Sequence, residues 1–391
     1  MSLPAVVLKK GRDVPVKGGH PWIFSGAIEK DVDRSLRLRP GALVSVLDSE
    51  GLLIGTGTWH GGNSIRVRMV SRESIRDFSP AFFRERFSKL AAEKQALLPP
   101  DTTGYRLVHS DADGFPGLIV DVFGSIAVFQ ISAEGFHRSA EMITQALVDV
   151  LSPKSVIQRF ENASQGPAVR YGEDIDKAVF YENNLKMISL TQTGQKTGFF
   201  LDQRDARYAL RSLSKGKKVL DLFCNAGGFS LSAAVGGAAG VTGVDVSEKA
   251  LALLREMVRI NKLAIGSEKV QTVCRDVFEF LDTVKPGDYD IIVCDPPAFA
   301  KSRDTAEQAK KAYIKLNRRC LEKLRTGDIL ITSSCSGAVN MEEFRDVVRV
   351  AAGQSGRDVR IISTLTQPAD HTLKMSFPEG QYLKTFVLQV L

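Results

Sequence analysis

The stretch "ILITSSCSG", residues 329–337, joins an apolar run to several hydroxyls and a thiol. Residues 329–331 are typical of a short buried strand, and Cys335 follows just past its end. Sheets of α/β proteins bind their ligands at the carboxyl ends of their strands. Two interpretations are open at this point. Cys335 is either a nucleophile or a small buried filler beside hydroxyls that cap the next helix.

A second set of candidate residues consists of acids that follow successive predicted strands. The Gly-rich turn in "DLFCNAGGFSLSAA", residues 221–234, would let a ligand approach the backbone closely. Asp245 ends the next strand, where a carboxylate can accept both hydroxyls of a ribose, and Asp276 near the third strand suits an adenine. The turn matches neither G-x-G-x-x-G nor GxxxxGK[ST], which argues against a dinucleotide site and a P-loop. Each acid taken singly is also an ordinary loop or capping residue.

These residues require a sheet that brings strand ends together. From about residue 190 strands and helices alternate, which predicts an α/β fold with a mostly parallel sheet covered on both faces. No clear helix separates the last two strands, so we expect one antiparallel edge strand. The candidate strands are 218–223, 240–246, 270–275, 289–294, 328–333, 358–364 and 382–390.

The preceding residues divide into two further segments. Residues 1–72 hold short alternating runs broken by Gly, which predicts a small β-barrel-like module. Residues 73–185 mix helical stretches with strands and predict a compact α+β unit. The alternating segment at 190–391 is then the third domain, as expected for a chain of 391 residues.

Composition argues against a membrane-spanning, secreted or zinc-binding protein. The chain is 43% hydrophobic and 25% charged, without an apolar run of the roughly 20 residues that a membrane span needs. Its first residues do not resemble a secretory signal. Five cysteines without CxxC spacing argue against a zinc site and a disulfide framework, so we expect a reducing cytoplasm and no metal.

The net charge of +7 is mild support for a polyanionic partner. The charge is uneven, because residues 1–72 hold eleven Lys and Arg against six Asp and Glu. Residues 301–325 are also rich in Lys and Arg, which a solvated helix face would explain equally well.

In this order, the acids, the AGG turn and the "DPP" after the fourth strand resemble the class I S-adenosylmethionine methyltransferases. The resemblance implies a Rossmann-like domain with S-adenosylmethionine as cofactor. Separately, "KTGFFLDQR" resembles an element that covers the cofactor in these enzymes, although Arg204 could simply pair with Asp202 or Asp205. The implied cofactor residues are Asp221, Asn225, Ala226, Gly227, Gly228, Phe229, Asp245, Ser247, Asp276, Asp295 and Arg204.

Longer strings resemble the bacterial RlmI-type 23S rRNA cytosine-carbon-5 methyltransferases, and "GGHPWIFSGAI" (18–28) resembles the start of an RNA-binding PUA domain. The strings are "VHSDADGFPGLIVDVFG" (108–124), "QKTGFFLDQRD" (195–205), "CDPPAFAKS" (294–302), "ITSSCS" (331–336) and "QPADH…FPEGQYLKTFVLQV" (367–390). The resemblance implies an N-terminal PUA barrel, a small central α+β domain and a seven-stranded methyltransferase sheet. It implies 23S rRNA or a large-subunit assembly intermediate as partner. The target nucleotide and the oligomeric state stay open, a homodimer included.

The implied chemistry gives the candidate residues definite roles. Cys335 would add to carbon 6 of cytosine and make carbon 5 nucleophilic, while Asp295 would bind the exocyclic amine or protonate N3. Phe299 would stack on the extracted base. Some RNA cytosine methyltransferases carry a cysteine after the prolines that assists release, and Ala298 stands there in this chain. The implied substrate residues are Pro296, Pro297, Phe299 and Lys301.

The other cysteines and histidines receive structural interpretations. We expect Cys224, Cys274, Cys294 and Cys320 to be packing residues, and His109 and His371 to be structural. Two rival functions stay open: methylation of a purine nitrogen, which needs no nucleophile, and a non-catalytic RNA-binding assembly factor that kept its cofactor pocket. A dehydrogenase is disfavoured by the absent dinucleotide fingerprint.

Overall fold

The computed structural model describes residues 3–30, 35–162, 164–261, 269–300 and 303–391. The described residues form two compact units. The first holds those up to Tyr181 with Ser189–Leu201 and Ala369–Gly380, and the second holds Glu182–Ile188, Asp202–Pro368 and Gln381–Leu391. The three-domain division expected from the sequence stays a prediction. Within the described ranges, no helix is both long enough and apolar enough to cross a membrane.

The first unit begins with a five-stranded sheet of order β1-β3-β4-β5-β2. An antiparallel bridge between Leu8 and Ile28 joins the segments that follow its two edge strands. The apolar side chains of alternating strand positions, such as Val44, Val46 and Val67, form its core. The elements are β1 (Ala5–Val7), α1 (Val14–Lys17), β2 (Trp22–Phe24), β3 (Leu43–Leu47), β4 (Leu53–Trp59) and β5 (Ile65–Ser71).

A second five-stranded sheet of order β10-β9-β8-β7-β6 follows in the same unit. Two helices cover it: the first contributes Phe83 and Phe87 to a cluster with Phe115 and Phe136, and the second contributes Ile143 and Leu147 to the same core. The elements are α2 (Pro80–Leu97), β6 (Gly104–His109), β7 (Leu118–Phe123), β8 (Ile126–Ile131), α3 (Ala140–Leu151), β9 (Ser155–Arg159) and β10 (Ala168–Gly172).

A hairpin of β11 (Lys177–Glu182) and β12 (Leu185–Leu190) comes next along the chain. Its two-residue loop consists of Asn183 and Asn184, with φ of 49° and 64°. Paired positive φ values at this length define the hairpin turn that matches strand twist, and Asn tolerates them better than most residues.

The second unit contains the predicted seven-stranded sheet, of order β15-β14-β13-β16-β17-β19-β18. Each predicted strand is confirmed, with bounds shifted by two residues or fewer. Successive side chains of β13 pack on opposite faces, Val219 in one core cluster and Leu220 in the other. The strands are β13 (Lys218–Leu222), β14 (Gly240–Asp245), β15 (Val270–Cys274), β16 (Ile291–Cys294), β17 (Ile329–Ser334), β18 (Val359–Leu365) and β19 (Lys384–Val390).

The antiparallel strand is β19, which lies between β17 and β18 and not at the edge of the sheet. The expectation of an antiparallel strand is therefore confirmed, and its edge position is wrong. Strand β19 is buried at six of seven positions, whereas β18 is buried at none. The two strands each hold four apolar residues of seven, so their burial follows from position: β19 has a neighbour on both sides, whereas β18 is the edge strand.

Helices cover both faces of this sheet. Helix α9 begins with a capping box in which Asn340 and Glu343 each accept from the other's backbone N–H. The helices are α4 (Arg204–Leu213), α5 (Gly228–Val235), α6 (Glu248–Ile260), α7 (Val277–Thr283), α8 (Ala306–Glu322) and α9 (Met341–Ser355).

Candidate functional site

The candidate acids and Cys335 lie along one edge of the second unit's sheet. In the parallel register Leu222 pairs with Val244 on one side and Cys294 on the other, and Cys294 pairs with Thr332. The segments that leave β13, β14, β16 and β17 therefore start side by side. This edge is the carboxyl end of the parallel strands, where α/β proteins bind ligands.

Asp221 is a buried carboxylate with spare acceptor capacity. Its Oδ2 accepts from the backbone N–H of Ser230 at 2.9 Å and from the Ser230 hydroxyl at 2.6 Å. Its Oδ1 is buried and has no hydrogen-bond partner among the described residues. Burial raises the pKa of Asp221 to about 7, and the charge of Asp245 acts in the same direction. A positively charged ligand group at Oδ1 would relieve this penalty.

The turn after β13 is held by backbone geometry and by Asp245. The Asp245 carboxylate accepts from the N–H groups of Asn225 and Ser247, both at 2.9 Å. Gly227 has φ of 81°, and a Cβ there would lie 2.3 Å from the Leu254 side chain. Both the left-handed backbone and the tight packing therefore require glycine at this position. The half-buried Asp245 keeps lone pairs that can accept from a ligand.

The remaining predicted cofactor residues of the strand ends have mainly local roles. Ala226 and Phe229 are buried, and Phe229 packs in the core on one face of the sheet. Ser247 caps α6, and Asp276 caps α7 by accepting from Phe278 and Glu279 N–H groups. Asp276 is exposed, so the capping role does not prevent contact with a ligand.

Cys274 is exposed, so its expected role in the core is wrong. Its strand, β15, is the edge strand of the sheet and is at best half-buried at every position. The periodicity of a strand indicates which side chains share a face, but it does not show whether a helix covers that face.

The segment before α4 brings Gln203 into contact with Asp295, which the sequence predicts to be catalytic. The Gln203 Nε2 donates to Asp295 Oδ1 at 2.8 Å, while the buried Gln203 Oε1 has no partner among the described residues. The neighbouring Asp202 accepts from the hydroxyl of Tyr382 at 2.8 Å. The sequence predicted a cofactor-covering role for this segment but did not predict its contact with Asp295.

Arg204 is fully buried and lies near an acid that the sequence analysis did not single out. Its Nε is 3.8 Å from Oε2 of Glu182, and Arg207 donates to both oxygens of that carboxylate at 2.6 Å. Glu182 ends β11 and is itself buried. No motif marks Glu182, because its partners lie more than twenty residues further along the chain.

The "DPP" loop after β16 approaches the loop that carries Cys335. Asp295 is half-buried, Pro296 is buried and Pro297 is exposed. The half-buried Phe299 ring packs 4.7 Å from Tyr313, between centroids. The backbone N–H of Ala300 donates to Ser336 Oγ at 3.4 Å. The predicted substrate residue Lys301 lies outside the described residues.

Cys335 is half-buried, and the serines on either side of it order its loop. The backbone N–H of Ser336 donates to Ser334 Oγ at 3.4 Å, and Ser336 Oγ lies 3.0 Å from the Tyr313 hydroxyl. Lys384 on β19 donates to the Ser336 carbonyl at 2.7 Å. The loop that carries the thiol is thus fixed by contacts with Ser334, Tyr313 and Lys384.

The thiols of Cys224, Cys294 and Cys320 are buried and therefore poorly suited to nucleophilic attack. The Cys320 thiol and burial together raise the pKa of Cys294, and burial raises the pKa of Cys224. Cys320 is buried as well. A raised pKa lowers the thiolate fraction, and the thiolate is the nucleophile. Cys335 is therefore the half-buried thiol at the ligand edge of this sheet.

The family models match most of the chain. Residues 134–359 match the S-adenosylmethionine-dependent methyltransferase model, and residues 6–72 match the PUA-like domain model. The chain is an S-adenosylmethionine-dependent methyltransferase. Two curated relatives are both named ribosomal RNA large subunit methyltransferase I. That of Aeromonas hydrophila is 34% identical over 98% of this chain and 99% of its own length, and that of Escherichia coli K12 is 33% identical over 99% of each. This methyltransferase belongs to their family.

Solved structures support the fold of the methyltransferase. SMU.776, solved in complex with SAH, matches with a TM-score of 0.85 and 24% identity over the full length of both chains. A SAM-dependent methyltransferase from Streptococcus mutans matches with a TM-score of 0.84, also at 24% identity and over all of both chains. The predicted class I methyltransferase fold is thereby confirmed.

The residues at the sheet edge fit S-adenosylmethionine. Its methionine portion carries an ammonium group, which suits the unused buried oxygen of Asp221. Its ribose hydroxyls suit the half-buried carboxylate of Asp245 at the end of the second strand. Because both acids are already fixed by backbone N–H groups, they would meet the cofactor without rearrangement.

Proposed function

We propose that this methyltransferase modifies carbon 5 of a cytosine in 23S ribosomal RNA, with Cys335 as the nucleophile. The full-length relatives named ribosomal RNA large subunit methyltransferase I support the substrate class. The observation that carries the mechanism is the half-buried thiol of Cys335 just past the end of β17, which pairs with the strand that Asp295 follows, at the edge that also holds the cofactor acids. A purine-nitrogen methyltransferase would have no use for a thiol there.

The RNA would be held mainly by charge and by the N-terminal sheet. The chain carries a net charge of +7, and its PUA-like segment combines basic and aromatic groups. In that segment the guanidinium of Arg68 lies 5.3 Å from the Trp22 ring centroid and also pairs with the Asp111 carboxylate at 3.0 Å, and Phe24 is 46% exposed. Such groups bind phosphates and stack on bases.

The proposed reaction begins with the thiolate of Cys335 forming a bond to carbon 6 of the cytosine. The electrons of the former carbon 5–carbon 6 double bond then make carbon 5 the attacking atom. S-adenosylmethionine supplies the methyl group and leaves as S-adenosylhomocysteine. A base, which can be water, takes the carbon-5 proton. The electrons of the broken C–H bond restore the carbon 5–carbon 6 double bond, and the bond to sulfur breaks with its electron pair returning to the Cys335 thiolate.

Asp295 would bind the edge of the base while charge develops on the ring. Its carboxyl group can accept from the exocyclic amine or share a proton with N3. Gln203 restrains the orientation of this carboxyl group by donating to Oδ1. Phe299, which already packs on Tyr313, would contact the face of the extracted base.

The test is methyl transfer from radiolabelled S-adenosylmethionine to unmodified 23S rRNA, with the labelled nucleoside identified after digestion. We expect label in 5-methylcytidine and its complete loss in Cys335→Ala. The matched control is Cys274→Ala, which removes an exposed thiol that the proposed reaction does not use. Binding of S-adenosylhomocysteine by the Cys335→Ala protein would show that its cofactor site is intact.

Three results would overturn the proposal. Label in a purine would favour the nitrogen-methylating rival, and an active Cys335→Ala protein would remove the covalent step. Cofactor binding without any transfer, in the wild-type protein and with both naked rRNA and assembling subunits, would favour the non-catalytic assembly factor.

A further inference from the structure

A buried lysine lies directly beneath the Cys335 loop. Lys384 is the first residue of β19 and stands opposite Ser334 of β17 in the antiparallel register. Directly opposite residues of an antiparallel pair project to the same face of a sheet. The Lys384 side chain therefore runs along the strand end that carries the thiol, and only 1% of its surface is exposed.

The Lys384 ammonium group is held by two carbonyl groups. Its Nζ donates to the Ser336 and Tyr382 carbonyl oxygens, each at 2.7 Å. Ser336 directly follows Cys335, so one of these bonds fixes the backbone on the far side of the thiol. Carbonyl groups satisfy donors but do not neutralise charge, and a charged group buried in this way normally faces an anion.

Two titratable groups act on the charge of this ammonium group, and a third, Tyr313, contacts the Ser336 hydroxyl of the same loop. The charges of Cys335 and Glu343 both raise the pKa of Lys384, but burial outweighs them and lowers it to about 8. Glu343 on α9 already pairs with another lysine, since its Oε1 lies 2.7 Å from the Lys310 Nζ. Tyr313 on α8 bonds the Ser336 hydroxyl, and burial raises its pKa, so it stays neutral. Of these groups, Cys335 is the anion that Lys384 would face once the thiol ionises.

We propose that Lys384 is a positioning residue for Cys335: it fixes the Ser336 carbonyl and its positive charge favours the thiolate. The inference deepens the function proposed above and rests on Cys335 being the nucleophile. An unperturbed thiol is mostly protonated at neutral pH, so the site needs a nearby cation to raise the thiolate fraction. At pH 7 Lys384 would still be mostly protonated and could serve as that cation.

The test measures the alkylation rate of each cysteine by iodoacetamide against pH in the full-length chain, with peptides resolved by mass spectrometry. It needs neither RNA nor cofactor. In Lys384→Met we expect the pH midpoint for Cys335 to rise by about one unit, and its rate at pH 7 to fall about tenfold. The exposed Cys274 serves as an internal control whose profile stays unchanged. Lys384→Arg keeps the charge and should restore most of the rate.

Removal of Lys384 could prevent folding, since two buried carbonyl groups lose their donor. Circular dichroism shows whether the variant is folded, and the wild-type protein supplies a second measurement. In the wild-type protein the Cys335 midpoint should lie below the value of an unperturbed thiol, about 8.5. An equal or higher Cys335 midpoint, or an unchanged midpoint in a folded Lys384→Met protein, overturns the inference.

Methyl transfer by the same variants separates this inference from the proposed function. Formation of 5-methylcytidine with an unchanged Cys335 midpoint would leave the function standing and refute Lys384 as its positioning residue. Label in a purine, or an active Cys335→Ala protein, would refute the function and with it the catalytic purpose of Lys384. If both proposals hold, Lys384→Met loses kcat with an unchanged affinity for S-adenosylhomocysteine.

Discussion

The substitution Asp221→Asn should destabilise the protein at acid pH and stabilise it at alkaline pH. The folded-state pKa of about 7 lies above the ordinary value of 3.8. Between these two values the unfolded chain releases its proton before the folded protein does. The wild-type protein therefore loses stability as pH rises from about 4 to 7, and Asn at this position removes that loss.

The magnitude follows from the size of the pKa shift. A shift of about three units corresponds to about 4 kcal/mol, which is fully expressed above pH 7 and absent below pH 4. The Asn amide would place an unpaired N–H₂ group where Oδ1 is now, at a cost of about 1–3 kcal/mol at every pH. Without cofactor, Asp221→Asn should thus destabilise the protein at pH 4 and stabilise it by about 1–3 kcal/mol at pH 8.

The assay is urea unfolding followed by circular dichroism at pH 4 and pH 8. The change in unfolding free energy caused by Asp221→Asn should differ by about 4 kcal/mol between pH 4 and pH 8, because the cost of the unpaired amide is the same at both. Asp276→Asn is the matched control, since Asn caps a helix as well as Asp and the residue is exposed. A pH-independent effect of Asp221→Asn would refute the reasoning from burial.

The same variant should bind the cofactor more weakly, although it is more stable at pH 8. Loss of the carboxylate removes the charged partner of the ligand ammonium group. We expect affinity for S-adenosylhomocysteine to fall at least about tenfold by calorimetry. Unchanged affinity would show that the ammonium group lies elsewhere.

Two further predictions concern residues that hold the site. Glu182→Gln should lower the free energy of unfolding by about 3 kcal/mol, because it removes a buried charge that pairs with the buried Arg204 and Arg207. Glu248→Gln, which breaks an exposed pair with Arg255, should cost less than about 1 kcal/mol in the same urea titration. Gly227→Ala should weaken S-adenosylhomocysteine binding and lower the melting temperature, because φ is 81° and the added Cβ meets Leu254. A fully stable Gly227→Ala protein with wild-type affinity would contradict this geometry.

The sequence alone determined where the strands lie and which residues end them. Strand bounds followed from apolar runs bounded by polar residues, which depend only on near neighbours in the chain. The carboxyl ends of parallel strands share one edge, so the sequence predicts that Asp221, Asp245, Asp295 and Cys335 lie along it. Local chemistry sufficed for these residues because each one sits next to its own strand.

Only the tertiary structure decided which groups surround them and how deeply they are buried. Lys384 contacts the Ser336 carbonyl and Glu182 lies near Arg204 across long separations in the chain, and no spacing rule connects such pairs. The exposure of Cys274 and the inner position of β19 depend on which strands the sheet places at its edges. Burial is a property of all neighbouring elements together, and it sets the protonation of Asp221 and Lys384.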